Sequence, residues 1–201
     1  MEPPSSPTTL IKAAISESTS INELLIQTFV PQIIELSNLV LKTFLQSGTV
    51  FFIVNGGSAS EAQHIATEFM VRIKHERLAL PAVALTADTS VLTATGNDYS
   101  FERIFSRQIE ALAKTNDLLV ALSTSGSSLN VINAIKQACS QGVPTVGFTG
   151  NRHGVMVSLA DYSFEVPSDN TQRIQEVHLL IWHIICELVD EAINMGNQTI
   201  V

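Results

Sequence analysis

Charged residues are scarce in this chain of 201 residues. Asp, Glu, Lys and Arg together make up 15% of it, against about 25% in an average soluble domain. Hydrophobic residues make up 45%, which excludes an intrinsically disordered chain. Because large apolar patches are seldom left in water, this composition also predicts that the protein associates with further copies of itself.

Basic residues and long apolar runs are also lacking. Eleven Lys and Arg residues stand against nineteen Asp and Glu residues, for a net charge of −8, and this disfavours nucleic-acid binding through a basic face. No apolar run reaches the ~18 residues that a membrane-spanning helix needs. The first residues lack the basic and apolar regions of a signal peptide. We therefore expect a cytoplasmic protein that binds neither nucleic acid nor membrane.

Cysteine is nearly absent. The two cysteines, Cys139 and Cys186, lie far apart in segments that the sequence predicts to be helical. This pattern matches neither a disulfide framework nor a thiolate metal site. We interpret both as small hydrophobic residues in the core.

The length and the pattern of the chain predict one compact domain with an added N-terminal element. Residues 1–7 are rich in Pro and Ser and are predicted to be a disordered tail. Residues 8–48 carry apolar residues at helical spacing, which predicts two helices broken near Pro31. Residues 49–197 form the α/β part of the domain.

Five short apolar runs alternate with helical stretches in that part. They span residues 50–54, 82–85, 118–122, 145–148 and 162–166. The runs are almost continuously apolar, as in parallel strands that are covered by helices on both faces. The sequence therefore predicts a doubly wound, five-stranded parallel sheet. In such folds ligands bind at the carboxyl ends of the strands, where the strand order changes direction.

Two loops at these strand ends are rich in glycine and hydroxyl groups. Residues 55–60 read Asn-Gly-Gly-Ser-Ala-Ser, and residues 123–128 read Ser-Thr-Ser-Gly-Ser-Ser. Each precedes a predicted helix, whose N-terminal N–H groups suit a phosphate. Neither loop has the motif of a nucleotide triphosphate or dinucleotide site. The alternative for each loop taken singly is a set of ordinary helix caps and turns.

A second group of residues suits a divalent metal. His64 and Glu68 lie four residues apart on the helix after the first loop, so they share one face of it. The last predicted helix, from residue 173 to about 194, carries Gln175, His178 and His183 among its apolar positions. Spacing alone does not decide which histidine joins the pair. The alternatives are a local helix pair and a hydrogen-bonded core histidine.

Taken together, these motifs resemble those of the phosphoheptose isomerases, a family with the sugar isomerase (SIS) fold. The resemblance covers about residues 36–193. It rests on the segments NGGS at 55–58, HIATE at 64–68, LTADTSVL at 85–92, GND at 96–98, STSGSS at 123–128 and RIQEVH at 173–178. The loop at 123–128 marks the wider SIS group, and His64 and Glu68 combined with Gln175 and His183 mark the heptose isomerase. The resemblance implies a flavodoxin-like sheet in a SIS domain over residues 49–197.

The same resemblance implies an activity and its residues. The reaction is the isomerisation of sedoheptulose 7-phosphate to D-glycero-D-manno-heptose 7-phosphate, an early step towards bacterial lipopolysaccharide and related glycans. Glu68 is implied as the base and His183 as the acid. One zinc ion per subunit is implied, with the ligands His64, Glu68, Gln175 and His183. The implied substrate residues are Asn55, Gly56, Gly57, Ser58, Glu68, Arg72, Asn97, Asp98, Ser123, Thr124, Ser125, Ser128 and Gln175, in sites between the subunits of a homotetramer.

One residue departs from the family, and two other functions remain open. Gln172 stands where some members carry an Asp that approaches the substrate, so no role is assigned to it. One alternative is a non-catalytic SIS protein, either a phosphosugar-sensing regulator or a replication-initiator-associating protein. The other is an isomerase of a different phosphosugar. The presence of both Glu68 and His183 favours the enzyme.

Overall fold

The computed structural model describes residues 6–152, 154–196 and 199–200. Within them, eight α-helices surround one five-stranded parallel sheet. The strands are β1 (Val50–Ile53), β2 (Ala82–Ala84), β3 (Leu118–Leu122), β4 (Thr145–Gly150) and β5 (Tyr162–Val166). The helices are α1 (Pro7–Thr28), α2 (Val30–Leu45), α3 (Ala59–Met70), α4 (Thr89–Asp98), α5 (Ser106–Leu112), α6 (Leu129–Ser140), α7 (Val155–Leu159) and α8 (Thr171–Asn194).

All five predicted strands form, and all pair in parallel. β3 and β5 have the predicted bounds, β1 and β2 end one residue earlier, and β4 continues to Gly150. Every residue of β3 and of β4 is buried. Helices that cover both faces of a sheet require such continuously apolar strands. The predicted fold class is thereby confirmed.

The core has two layers, one on each face of the sheet. Alternate residues of a strand point to opposite faces, so Phe52 and Val120 pack under α1, α2, α3 and α8. Phe51 and Leu119 pack under α5 and α6 on the other face. In the first layer, α3 packs on β1 and β2, α8 packs on β4 and β5, and the two helices contact each other.

The strand order is β2-β1-β3-β4-β5. β1 and β3 are therefore neighbours although β2 lies between them in the chain. The chain leaves β1 towards one side of the sheet and β3 towards the other, which makes their shared carboxyl edge the switch point at which doubly wound folds bind ligands. The loops 55–60 and 123–128 both begin at this edge.

The two N-terminal helices meet at Phe29, and Pro31 lies in the first turn of α2. Proline is tolerated there because that turn has no intrahelical partner for its N–H groups. The predicted tail over residues 1–7 lies mostly outside the described residues. Its last residue, Pro7, is helical, because the Ser6 hydroxyl caps α1 by accepting the Thr9 N–H.

The two cysteines differ in burial. Cys186 is buried in α8, and burial raises the pKa of its thiol. Cys139 is exposed, so its prediction as a core residue is wrong. It lies in the last turn of α6, beyond the buried Ile135 and Ala138.

Among the described residues no single helix is long and apolar enough to cross a membrane. Only α1 and α2 taken together meet that test of length and composition, and they are bent by 75° relative to one another.

Candidate active site

The loop after β1 folds into a 3-10 turn over Gly56–Ser58 that leads directly into α3. Gly56 has a φ of +67°, which a residue with a side chain adopts only with strain. Asn55 and Ser58 stand at the cap positions of the turn and of α3, and neither side chain caps a helix N–H. The predicted alternative of ordinary helix caps therefore does not describe these two side chains.

The loop after β3 gathers its hydroxyl groups. The Ser123 Oγ lies 3.3 Å from the Ser125 Oγ and 3.2 Å from the Ser128 Oγ. Ser125 also accepts hydrogen bonds from the N–H and the hydroxyl of Ser127. Ser128 occupies the cap position of α6 without making a side-chain cap bond. Several hydroxyl groups are thus concentrated at one helix N-terminus.

Gly126 lets this loop fold back on itself. Its φ is +63°, and a Cβ there would lie 3.0 Å from the Cα of Gly154. A Cβ on Gly154 would lie 2.5 Å from the backbone of Gly126. The Thr124 carbonyl accepts the Gly150 N–H at the end of β4. The loop is therefore held closely against β4 and the start of α7.

The first loop is joined to α6, the helix that follows the second loop, by a pair of amides whose partner Asn130 sequence reasoning missed. Asn55 donates from Nδ2 to the Asn130 Oδ1 at 2.8 Å, and Asn130 donates back to the Asn55 Oδ1 at 2.7 Å. Asn130 is buried in the first turn of α6. The signal was available, because a buried asparagine needs partners. The identity of its partner follows only from the strand order.

His64, Glu68 and His183 meet between α3 and α8. The Nε2 atoms of His64 and His183 lie 2.9 Å apart, and the His64 Nε2 lies 3.6 Å from the Glu68 Oε1. One ligand atom from each of the three lies within 4.8 Å of the others. The His64 side chain is 48% exposed and that of Glu68 18%. The group can hold a metal ion and remain open to a substrate.

Gln175 lies on α8, eight residues before His183, and contacts the loop after β1. Its Nε2 donates to the Ser58 Oγ at 2.9 Å, which joins α8 to the loop after β1. Ser58 also hydrogen-bonds the carboxylate of Glu61. Burial raises the pKa of Glu61, and the bond to Ser58 opposes that shift. Because the amide bonds through its nitrogen, its carbonyl oxygen is the atom that would serve as a ligand.

His178, the other histidine of α8, lies in the core. Its Nε2 lies 3.3 Å from the Thr149 carbonyl oxygen, and its ring meets that of Phe148 edge-on. Burial lowers the pKa of His178 from 6.5 to about 4, and the bond to Thr149 opposes this shift only in part. Packing therefore decides what spacing left open. It places His183 beside His64, and it buries His178 in the core against β4.

We expect His178 to make the protein less stable in mild acid. As the pH falls from about 7 to about 4, the unfolded chain binds a proton on this histidine that the folded chain does not, so the free energy of unfolding falls by about 3 kcal/mol. Urea denaturation across this range measures the loss. His178→Gln keeps a donor for Thr149 and should remove that part of the pH dependence. A variant with the full wild-type dependence would contradict the assignment.

Four further residues named by the sequence lie outside these hydrogen-bonded groups. Arg72 follows the end of α3 and forms an exposed ion pair with Glu76 at 2.8 Å. Asn97 donates to the Asp98 carboxylate at 2.8 Å, and both are exposed at the end of α4. Gln172 is exposed in the first turn of α8. Within one chain, none of these bonds reaches His64, Glu68 or His183.

The parallel sheet, with two glycine- and hydroxyl-rich loops at the carboxyl ends of β1 and β3, is the fold of a known class of protein. A family model described as a SIS domain matches residues 15–150. The phosphoheptose isomerase of Roseiflexus sp. is 46% identical over 179 residues, which cover 89% of this chain and 91% of that protein.

Two solved structures agree with this class. The phosphoheptose isomerase of Neisseria gonorrhoeae is 36% identical with a TM-score of 0.86, and the comparison covers 92% of this chain and all of that one. The enzyme of Francisella tularensis is 31% identical with a TM-score of 0.89, and the comparison covers 93% of this chain and all of that one. This chain belongs to the phosphoheptose isomerase family of SIS-domain proteins.

Proposed function

We propose that this protein is the aldose-ketose isomerase that converts sedoheptulose 7-phosphate into D-glycero-D-manno-heptose 7-phosphate, for the heptose precursors of bacterial glycans. The observation that carries the proposal is the meeting of Glu68 with His64 and His183 between α3 and α8. The family supports it, since its members are named for this activity. A carboxylate and an imidazole are the base and the acid that such a reaction needs.

The isomerisation moves one proton between two carbons and one between two oxygens. Glu68 takes a proton from C1 of the open-chain ketose, which leaves an enediol, and a proton returned to C2 gives the aldose. His183 donates a proton to the C2 oxygen and takes the proton of the C1 hydroxyl in return, so the imidazole ends the reaction in the state in which it began. An imidazole suits this role because it changes protonation state near neutral pH.

His64, Glu68, Gln175 and His183 form the proposed zinc site, with one ion per subunit. The nitrogen and oxygen donors are those that zinc accepts. Tetrahedral zinc holds ligand atoms about 3.3 Å apart, and the separations of 2.9 and 3.6 Å around His64 lie on either side of that value. When bound, zinc supplies a positive charge that polarises the sugar carbonyl or holds the groups around it.

The two loops at the switch point form the proposed substrate site. The hydroxyl groups of residues 123–128 face the N-terminus of α6, where an anionic phosphate is favoured. The residues proposed to contact the sugar phosphate are Asn55, Gly56, Gly57, Ser58, Glu68, Arg72, Asn97, Asp98, Ser123, Thr124, Ser125, Ser128 and Gln175.

We also propose a cytoplasmic homotetramer with sites completed between subunits. On α1, Leu10, Ile11 and Ile15 are each about three-fifths exposed, which is unfavourable for an isolated chain. The His64 side chain is half exposed at an open surface. The exposed apolar residues of α1 support association between subunits, and the open surface at His64 supports a site that a neighbouring subunit covers.

The alternative of a non-catalytic SIS protein is not favoured, because Glu68 and His183 are both present and lie close together. The deciding experiment is an assay of the purified protein with sedoheptulose 7-phosphate, and with arabinose and hexose phosphates for comparison, each with and without a chelator. We expect turnover of the seven-carbon sugar and its loss on chelation. Binding of the sugar with neither product nor proton exchange would establish the alternative.

For the metal, we expect His64→Ala to bind at least tenfold less zinc than the wild type, because it removes the ligand that lies between Glu68 and His183. Metal analysis after zinc supplementation and desalting checks this. His178→Gln is the matched control, since His178 lies in the core. Equal, near-zero occupancy in the wild type and in His64→Ala would refute the site.

For the phosphate, Ser125→Ala should weaken sugar phosphate binding about 10- to 150-fold, because a hydrogen bond to a charged group contributes about 1.5–3 kcal/mol. Calorimetry in a Glu68→Gln background avoids conversion of the ligand. Ser140→Ala, at the opposite end of α6, should bind as the background does. Unchanged affinity in Ser125→Ala would place the phosphate elsewhere.

A further inference from the structure

A nearly inaccessible ion pair lies beside the candidate active site. The Arg77 Nε donates to the Asp190 Oδ1 at 2.6 Å, and the two side chains are 4% and 1% exposed. Burying two charges is costly unless their remaining polar atoms are also bonded. Such a pair is therefore weak evidence of a role in stability alone.

The remaining polar atoms of the pair bind the backbone around the end of α3. The Asp190 Oδ2 accepts the N–H groups of Lys74 and His75, at 3.2 and 2.9 Å. The Arg77 guanidinium donates to the carbonyls of Glu68 and Phe69, at 3.0 and 2.8 Å. These carbonyls belong to the last turn of α3, which has no further helical N–H groups to bond. A cation at this end of a helix is also electrostatically favoured.

This contact lies on the same helices as the reacting groups. Asp190 follows His183 by seven residues, so the two lie on one face of α8, about 10.5 Å apart along it. Arg77 binds the main-chain carbonyl of Glu68 itself. At the other end of α3, Gln175 of α8 binds Ser58. The cluster of His64, Glu68 and His183 thus lies between two points at which α3 is fixed to α8.

We propose that Arg77 and Asp190 are positioning residues, which hold the end of α3 against α8 so that the Glu68 carboxylate meets His183. Arginine suits this task because its planar fork binds a carboxylate and two carbonyls at once. A lysine offers one flexible ammonium group and cannot reproduce that geometry. A sliding of α3 along α8 would change directly the short distances around His64. This inference rests on the proposed isomerase activity.

The test compares Arg77→Lys with the wild type and with Lys74→Gln. Lys74 belongs to the same loop, and its ion pair with Glu187 on α8 is exposed on both sides, so it should contribute little. In Arg77→Lys, we expect kcat to fall about 10- to 100-fold and zinc affinity of the folded protein, measured by chelator competition, to fall by a similar factor. KM should stay within about twofold, since residues 123–128, the proposed phosphate-binding loop, are not altered.

A purely structural role would give a different result. Arg77→Lys would then unfold at a lower temperature while its folded fraction kept wild-type kcat and zinc affinity, and the proposal would be overturned. If Arg77→Lys does not fold, Asp190→Asn decides, because it keeps the size of the side chain and an oxygen for the two N–H groups. If the wild type lacks isomerase activity, the proposed function fails, while zinc affinity still tests the positioning role.

Discussion

Replacing Glu68 with Gln is expected to slow the isomerisation and the exchange of the sugar C1 proton with solvent by about 10²–10⁴-fold, the contribution of a positioned general base. Gln keeps the shape of the side chain and one oxygen that a metal can bind, but it cannot take up a proton at neutral pH. The sugar phosphate should still bind, because the proposed phosphate-binding loop, residues 123–128, lies between β3 and α6 and is not altered. Proton exchange in deuterated buffer, together with calorimetry, measures both quantities.

The matched control for this variant is Glu187→Gln. Glu187 lies on α8 and pairs with Lys74 at the surface, so the change removes the same charge without touching the cluster. It should leave the exchange rate within about twofold of wild type, as for most exposed ion pairs. If Glu68→Gln exchanges the C1 proton as fast as wild type, another residue is the base. If Glu187→Gln exchanges the C1 proton equally slowly, the loss of a negative charge explains the slow exchange, and the position of Glu68 does not.

Replacing His183 with Gln is expected to lower turnover by about 10²–10⁴-fold as well, because it removes the proposed general acid. It also removes one of the proposed zinc ligands, so zinc affinity should fall in this variant more than in Glu68→Gln. Turnover measured over a range of zinc concentrations separates the two losses. Part of the deficit should persist at saturating zinc, since the missing acid is not replaced.

His178→Gln provides the comparison for this prediction. Both histidines lie on α8, five residues apart, and the same substitution at His178 changes a core contact with Thr149. It should lower the pH dependence of stability and keep turnover. Wild-type turnover in His183→Gln, or a loss in His178→Gln of the same size, would show that the wrong histidine has been assigned.

The chain alone predicted the class of fold and the two loops. Continuous apolar runs that alternate with helical segments depend on local sequence, so the bounds of β3 and β5 could be predicted to the residue. Glycine and hydroxyl residues after a buried strand are typical of turns, because glycine adopts positive φ angles and hydroxyl groups bond the nearby backbone, and this made loops 55–60 and 123–128 recognisable. The family resemblance added the particular residues Glu68 and His183.

Other expectations were limited by what local sequence contains. Cys139 was predicted to be buried because of its residue type, yet the end of α6 extends beyond the core. Asn97 and Asp98 were named through the family resemblance, and local sequence did not show that both lie exposed at the end of α4. Composition predicts an average environment, and these positions depart from it.

Sequence by itself determined the secondary structure, the apolar faces and the chemistry available, because each depends on neighbouring residues. Only the tertiary structure decided which distant groups meet. It brought His183 to His64, paired Asn55 with Asn130 and buried Arg77 against Asp190. The physical reason is that each of these contacts joins residues brought together by the order β2-β1-β3-β4-β5 and by the packing of α8 on α3. Neither the strand order nor the packing of these helices can be read from the spacing of residues within one helix or loop.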